Sequence, residues 1–184
     1  MNIFRPAEAV DEQAFDAEFT EIVNLHLDPL YNYTRYMVTD GEEASDIVQT
    51  TFLTLYKNFK KLDRSQPLKP WLYKVARNNC LDYLKKKRAL NFSELDMEIY
   101  DIPETDTDLE VQANSEILQE SVRQILDSLP TTVKEIMVLH YFDDFSFEQI
   151  AQQLELPLNT IKSHFYRGKS RIYQQLKQQI HGHN

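Results

Sequence analysis

Residues 146–168 read SFEQIAQQLELPLNTIKSHFYRG. Ser146 with Gln149 three places on is a capping box: the serine oxygen caps first-turn amides and the glutamine side chain reaches back, so a helix opens at 147. Ile150, Ala151 and Leu154 give that short helix its apolar face, Glu155 to Pro157 form a turn, and Ile161, Phe165, Ile172 and Leu176 recur at helical spacing along a last helix. A short helix, a three-residue turn and a second helix make a helix-turn-helix, with the small Ala151 letting the two helices approach. Asn159, Thr160, Lys162, Ser163, His164 and Arg167 then project from the start of the second helix. Arg and Lys read guanine edges, Asn reads adenine, and Ser or Thr reads either or holds phosphate, so this face suits a major groove.

The same periodicity extends toward the N-terminus. Ser115 to Ser128 carries Ile117, Leu118, Val122, Ile125 and Leu126 as one helical stripe, and Pro130 interrupts before Val133, Ile136, Met137 and Tyr141 start another. Phe15, Phe19, Ile22, Val23, Leu30, Tyr33 and Met37 predict a first long helix, stopped by Thr39-Asp40-Gly41. Ala44, Ile47, Val48, Thr51, Phe52, Leu55 and Phe59 predict a second, with Asp46, Gln49, Thr50, Leu53 and Asn58 on its other side. A third begins near Pro70 and buries Leu72, Val75, Ala76, Tyr83 and either Asn79 or Cys80, leaving Lys74, Arg77, Asn78 and Lys85 on a polar side. Between 89 and 114 the pattern fails among closely spaced acids, a composition that buries too little surface to order itself and reads as an acidic flexible linker. The fold class is therefore all-α, two small helical domains over 14–88 and 115–180 joined by that linker.

The charges are sorted along the chain. The net charge is −9, yet residues 57–88 hold eleven bases and two acids, and 156–184 hold five bases and no acid. Residues 1–56 hold eleven acids and two bases, and 89–122 hold ten acids and no Lys or Arg. Phosphate contacts need local positive potential, so two basic surfaces separated by an acidic connector permit DNA binding at two places. Lys85, Lys86, Lys87 and Arg88, with Lys57, Lys60, Lys61, Lys69 and Lys74 nearby in sequence, read as a phosphate patch. Trp71 and Tyr73 invite stacking on a melted strand, although Trp71 begins an apolar face and reads better as a core anchor.

Three glycines and scarce alternation of apolar and polar residues argue against a sheet. The single cysteine, Cys80, excludes an internal disulfide and a Cys-rich metal site and reads as a small buried hydrophobe. The N-terminus MNIFRPAEAVDEQ carries acids where a signal peptide needs bases, and no run approaches the roughly 18 apolar residues of a spanning helix, so a cytoplasmic protein without membrane insertion is expected. No nucleophile with an adjacent base, phosphate-cradling glycine loop or zinc motif occurs, which points to binding and not to catalysis, with no metal and no cofactor.

SLPTTVKEIMVLHYFDDFSFEQIAQQLELPLNTIKSHFYRGKSRIYQQL, residues 128–176, resembles the fourth conserved region of RNA polymerase sigma factors. DGEEASDIVQTTFLTLYKNFKKL, residues 40–62, is similar to the part of sigma region two that docks on polymerase, and KPWLYKVARNNCLDYLKKKR, residues 69–88, to the adjoining part that melts promoters and reads the minus-ten element. The resemblance is to the small two-domain, extracytoplasmic-function type. It implies a non-enzymatic subunit that binds core RNA polymerase through the β′ clamp helices and directs it to promoter DNA. The docking residues carry over to Asp46, Gln49, Phe52 and Leu53, with Thr50 where the family often has glutamate. Lys74 and Asn78, with Arg77 beside them, match the positions that hold a flipped minus-ten base and its backbone. In the minus-thirty-five reader the family usually has glycine at the position of Asn159 and arginine at that of His164. Many relatives are held inactive by an anti-sigma protein that masks both DNA surfaces, so a partner of that kind is implied too.

Two other readings compete. TIKSH at 160–164 is close to the last helix of stand-alone transcription regulators, but those usually carry a strand-rich N-terminal domain and residues 1–88 show no strand pattern. A metal-dependent nuclease using the acids of 94–110 lacks any His or Cys partner or helical spacing to fix an octahedral site.

Overall fold

In the computed structural model the residues described are 12–63, 65–91 and 116–181. Among them the only extended helices are seven: α1 (Glu12–Val38), α2 (Gly41–Asn58), α3 (Leu68–Asn91), α4 (Glu116–Asp127), α5 (Thr131–Tyr141), α6 (Phe147–Leu154) and α7 (Leu158–His181), with a short 3-10 turn at Phe59–Lys61. They fall into two units, α1 to α3 and α4 to α7. The expected linker, 89–114, lies outside the described residues except for its first three, which continue α3 through Asn91. Residues 1–11 and the side chain of Arg88 are also outside them.

In the first unit the stop between α1 and α2 is made by Thr39, in the left-handed region at φ 68°, not by the glycine. Its N–H donates to the Arg35 carbonyl at 3.1 Å, closing the helix end. Asp40 is the N-cap of α2: its Oδ1 accepts from the Glu42 and Glu43 amides at 2.9 and 3.3 Å, and Gly41 is the first helical residue. The three helices pack on one another, and Leu30, Tyr33 and Met37 of α1, Ala44, Val48 and Leu55 of α2 and Leu72, Ala76 and Cys80 of α3 are buried in their core. Cys80, and not Asn79, is the residue that faces inward. Tyr73 is also core, 1% exposed with its ring 5.0 Å from that of Tyr33, so the stacking role considered for it would require unpacking the domain. Phe15 and Phe19 seat edge-on against Tyr56 and Phe59 at 4.8–5.5 Å and fasten the start of α1 to the end of α2.

The second unit is built around α5, whose residues Val133 to Leu139 are all buried between α6 and α7. That enclosure includes Lys134 and Glu135; Lys134 reaches Asp127 of α4 at 3.1 Å, tying the two helices across Pro130. Tyr141, expected inside, is 53% exposed, because α5 ends there and only one face of the ring stacks on Phe165, 5.4 Å away.

At Gly168 α7 packs tightly against α5. A Cβ there would lie 2.8 Å from Val133 Cγ1 and 3.1 Å from Met137 Sδ. Alanine gains about 1 kcal/mol of helix propensity but overpacks the crossing by about 1–3 kcal/mol, so Gly168→Ala is expected to leave the unit less stable by up to about 2 kcal/mol. Thermal melting checks this; a raised melting temperature would mean that the helices have room to spare.

Candidate nucleic-acid interface

The capping box expected at Ser146 is formed. Ser146 Oγ accepts from the Gln149 amide at 3.2 Å and Gln149 Oε1 accepts from the Ser146 amide at 2.8 Å, which fixes where α6 starts. Glu155, left-handed at φ 57°, turns the chain, and the Glu155 and Leu156 amides both donate to the Ala151 carbonyl. α7 then begins at Leu158, with Ile161 fully buried and Phe165 5% exposed holding it down. Beneath it His140 Nδ1 donates to the Phe145 carbonyl at 2.9 Å, and its ring stacks on Phe147 at 4.4 Å and meets Phe165 edge-on at 4.8 Å. The reading helix is thus set on a rigid aromatic floor.

With Ile161, Phe165 and Gly168 inward, Asn159, Ser163 and Arg167 lie on the far side of α7, while Thr160, Lys162 and His164 flank the buried stripe. Asn159 is exposed, and Thr160, Lys162, Ser163, His164 and Arg167 are half-buried. Arg167 donates to Ser163 Oγ at 2.8 Å, so a serine one turn earlier orients the guanidinium. Tyr166 lies on the same side, 40% exposed, seven residues after Asn159 and three after Ser163. Sequence reading passed over it as an aromatic; its spacing from Asn159 and Ser163 was the signal that places it on their face.

Two titrations follow from this geometry. The Glu148 carboxylate is held below its usual range by an amide at the start of α6, by the Ser146 hydroxyl and by Lys162, so an acid sits beside the reading helix. Burial, and then the Arg167 guanidinium, holds the His164 imidazole below its ordinary value. Because the folded value is the lower one, the unfolded chain binds more protons in the window under about pH 6.5. The second unit should therefore lose stability as pH falls through that window, and His164→Gln should reduce the loss. Melting curves of parent and variant at about pH 7.5 and 5.5 check this; equal pH dependence in the two would refute it.

The first unit presents two further surfaces. On α2, Asp46, Gln49 and Leu53 are exposed in a row with Thr50 and Tyr56, Leu53 at 57%, whereas Phe52 is 8% exposed and serves the core. On α3, Lys74, Asn78 and Lys85 fall on one side, with Arg77 beside them; Asn78 and Lys85 are exposed, Lys74 and Arg77 half-buried. Lys85 lies 3.6 Å from Asp82. Lys86 and Lys87 are exposed too, but they are turned away from Asn78; Lys87 Nζ sits 5.7 Å over the Tyr83 ring. Trp71 is half-buried. Among the described residues no group of three His, Cys, Asp or Glu is placed to hold a metal ion, and no helix is long and apolar enough to cross a membrane.

Comparison with known proteins places both units in order: residues 22–90 match sigma-70 region 2 and residues 119–172 match sigma-70 region 4. The chain belongs to the sigma-70 family. The sigma factor is 27% identical over 168 residues to the ECF RNA polymerase sigma factor SigW of Bacillus subtilis, covering 86% of this chain and 89% of that protein. It is 26% identical over 155 residues to SigM of the same organism, covering 83% and 91%. Its fold is shared with the sigma factor RpoE solved in complex with the anti-sigma factor NepR from Bartonella quintana, at a TM-score of 0.69 and 24% identity over 87% of this chain and 97% of that one. CnrH, solved with the cytosolic domain of CnrY, gives a TM-score of 0.65 at 20% identity over 88% and 89%. The sigma factor is thus of the extracytoplasmic-function type, a transcription initiation factor that binds core RNA polymerase and directs it to promoters, and not an enzyme. The family match over region 2 removes the stand-alone regulator, and the sigma relatives remove the nuclease.

Proposed function

We propose a division of labour among the three surfaces. The α2 row of Asp46, Gln49 and Leu53 docks on the β′ clamp helices of core polymerase. The α3 side bearing Lys74, Arg77, Asn78 and Lys85 holds the opened minus-ten strand, while Asn159, Thr160, Lys162, Ser163, His164 and Arg167 read the minus-thirty-five duplex. The functional limits are 14–88 for the first domain and 115–180 for the second, and the site of action is the cytoplasm. The observation that carries this reading is the row itself: Asp46, Gln49 and Leu53 are exposed together on α2, while that helix packs through Ala44, Ile47, Val48, Thr51, Phe52 and Leu55. An anti-sigma protein fits the same picture, since the sigma factor RpoE that shares this fold is solved with the anti-sigma factor NepR, and it would act by covering these surfaces.

Asn78 offers the direct test of the minus-ten assignment. An amide reads a base edge with both a donor and an acceptor, and removing such a pairing costs about 1–3 kcal/mol. Asn78→Ala in the holoenzyme should weaken binding of a single-stranded minus-ten oligonucleotide and slow promoter opening by the same factor, with core affinity unchanged. Parental binding of that oligonucleotide would move the minus-ten contact elsewhere.

A further inference from the structure

A groove of about 690 Å³ runs between α2 and α3. Glu43, Asp46 and Thr50 form its α2 wall, Asn79, Asp82, Lys86 and Lys87 its α3 wall, and Ile47 and Tyr83 supply apolar surface. Asp46 thus belongs both to the docking row and to this groove. We propose that the polymerase-docking surface continues from α2 across the groove onto α3, so that Asn79 and Lys86 serve core polymerase and not promoter DNA. This extension rests on the docking role proposed for Asp46, Gln49 and Leu53.

The charges of the groove choose its occupant. A nucleic-acid strand carries only negative charge; it would satisfy Lys86 and Lys87 while facing the three carboxylates of Glu43, Asp46 and Asp82. A protein helix can place a basic side chain against the α2 carboxylates and a carboxylate or carbonyl against the opposite wall. That wall offers an amide: Asn79 lines the groove and its buried Nδ2 has no hydrogen-bond partner, so a turn of the side chain toward an acceptor on the incoming helix would relieve a state that costs free energy. The fitting occupant is therefore a core-polymerase helix with alternating charge, its basic groups toward α2 and an acceptor toward Asn79 and Lys86. Helical geometry agrees. Lys85 shares the side of Lys74 and Asn78, whereas Lys86, one residue on, is turned by about 100° toward α2.

The experiment compares full-length variants by titration with core polymerase and by promoter opening at saturating core. Lys86→Gln and Asn79→Leu should each weaken core binding about tenfold, as expected when one member of a complementary polar pair is removed, and opening should recover when core is in excess. Lys85→Gln should do the reverse, leaving core affinity intact and slowing opening. Melting curves identify any variant that has lost its fold, in which case Lys86→Met replaces it. Parental core affinity for both Lys86→Gln and Asn79→Leu overturns the extension. Gln49→Ala with Leu53→Ala, measured alongside, separates the two claims: if that pair weakens core binding and the α3 variants do not, docking on α2 stands and only the extension falls. If neither does, docking lies elsewhere and both fall.

Discussion

Replacing Gln49 and Leu53 together by alanine is expected to abolish binding to core polymerase while leaving the fold intact. Neither residue is in the core: both are exposed on α2, while Ala44, Ile47, Val48, Thr51, Phe52 and Leu55 carry the packing of that helix. Surface substitutions of this kind change stability by about 0.5 kcal/mol or less. At an interface the balance is different, because a few central residues dominate and each can contribute about 2 kcal/mol or more. Two such losses together amount to about a thousandfold in affinity. Copurification with polymerase and a melting curve are read on the same preparation. A variant that melts like the parent and still copurifies removes α2 from the docking surface.

The second large effect is expected at Lys162 and Arg167. Neither belongs to the core that Ile161 and Phe165 enter, and Ser163 holds the Arg167 guanidinium at 2.8 Å in one orientation, which lowers the entropy lost on meeting DNA. Each hydrogen-bonded base is worth about 1–3 kcal/mol, and each phosphate that is no longer neutralised lowers the salt slope by about one. Alanine at both positions should therefore reduce holoenzyme affinity for a promoter by at least about tenfold and flatten its salt dependence, with core binding unchanged. The neighbouring Glu148 carboxylate adds a signed control. It faces Lys162, so Glu148→Gln should raise duplex affinity and steepen the salt slope. Unchanged transcription from the natural promoter in the double variant would mean that α7 is not the reader.

The helices were legible in the sequence because their signals are local. The three-to-four-residue recurrence of apolar groups fixed α1, α2 and α7, and the Ser146 and Gln149 pair marked the start of α6 directly. What escaped was set by packing between helices. Tyr73 could have faced solvent or core, and only the approach of Tyr33 decides it. Lys134 and Glu135 are buried because α5 is surrounded, which no pattern of seven residues announces. Thr39 adopts a left-handed turn beside a glycine better suited to it, because Asp40 must cap the next helix from its own position. The lysines at 85 to 87 form one run in sequence and two surfaces in space, since a helix turns each successive residue by about 100°. The acidic and basic sorting, by contrast, was fully visible, and it bears on the central claim.

That claim is that this chain reads promoters as a subunit and not alone. Its basic surfaces are flanked by segments of opposite sign, with ten acids and no base in 89–122, and phosphate is repelled unless both units are fixed on polymerase and act together. The decisive measurement is a titration of the full-length protein against duplex promoter DNA, chosen by sequencing what the holoenzyme retains, at physiological salt with and without core polymerase. The account predicts weak, sequence-indifferent binding by the free protein and tight, promoter-specific binding once core is added. Tight specific binding by the free protein, unchanged by core, would contradict it.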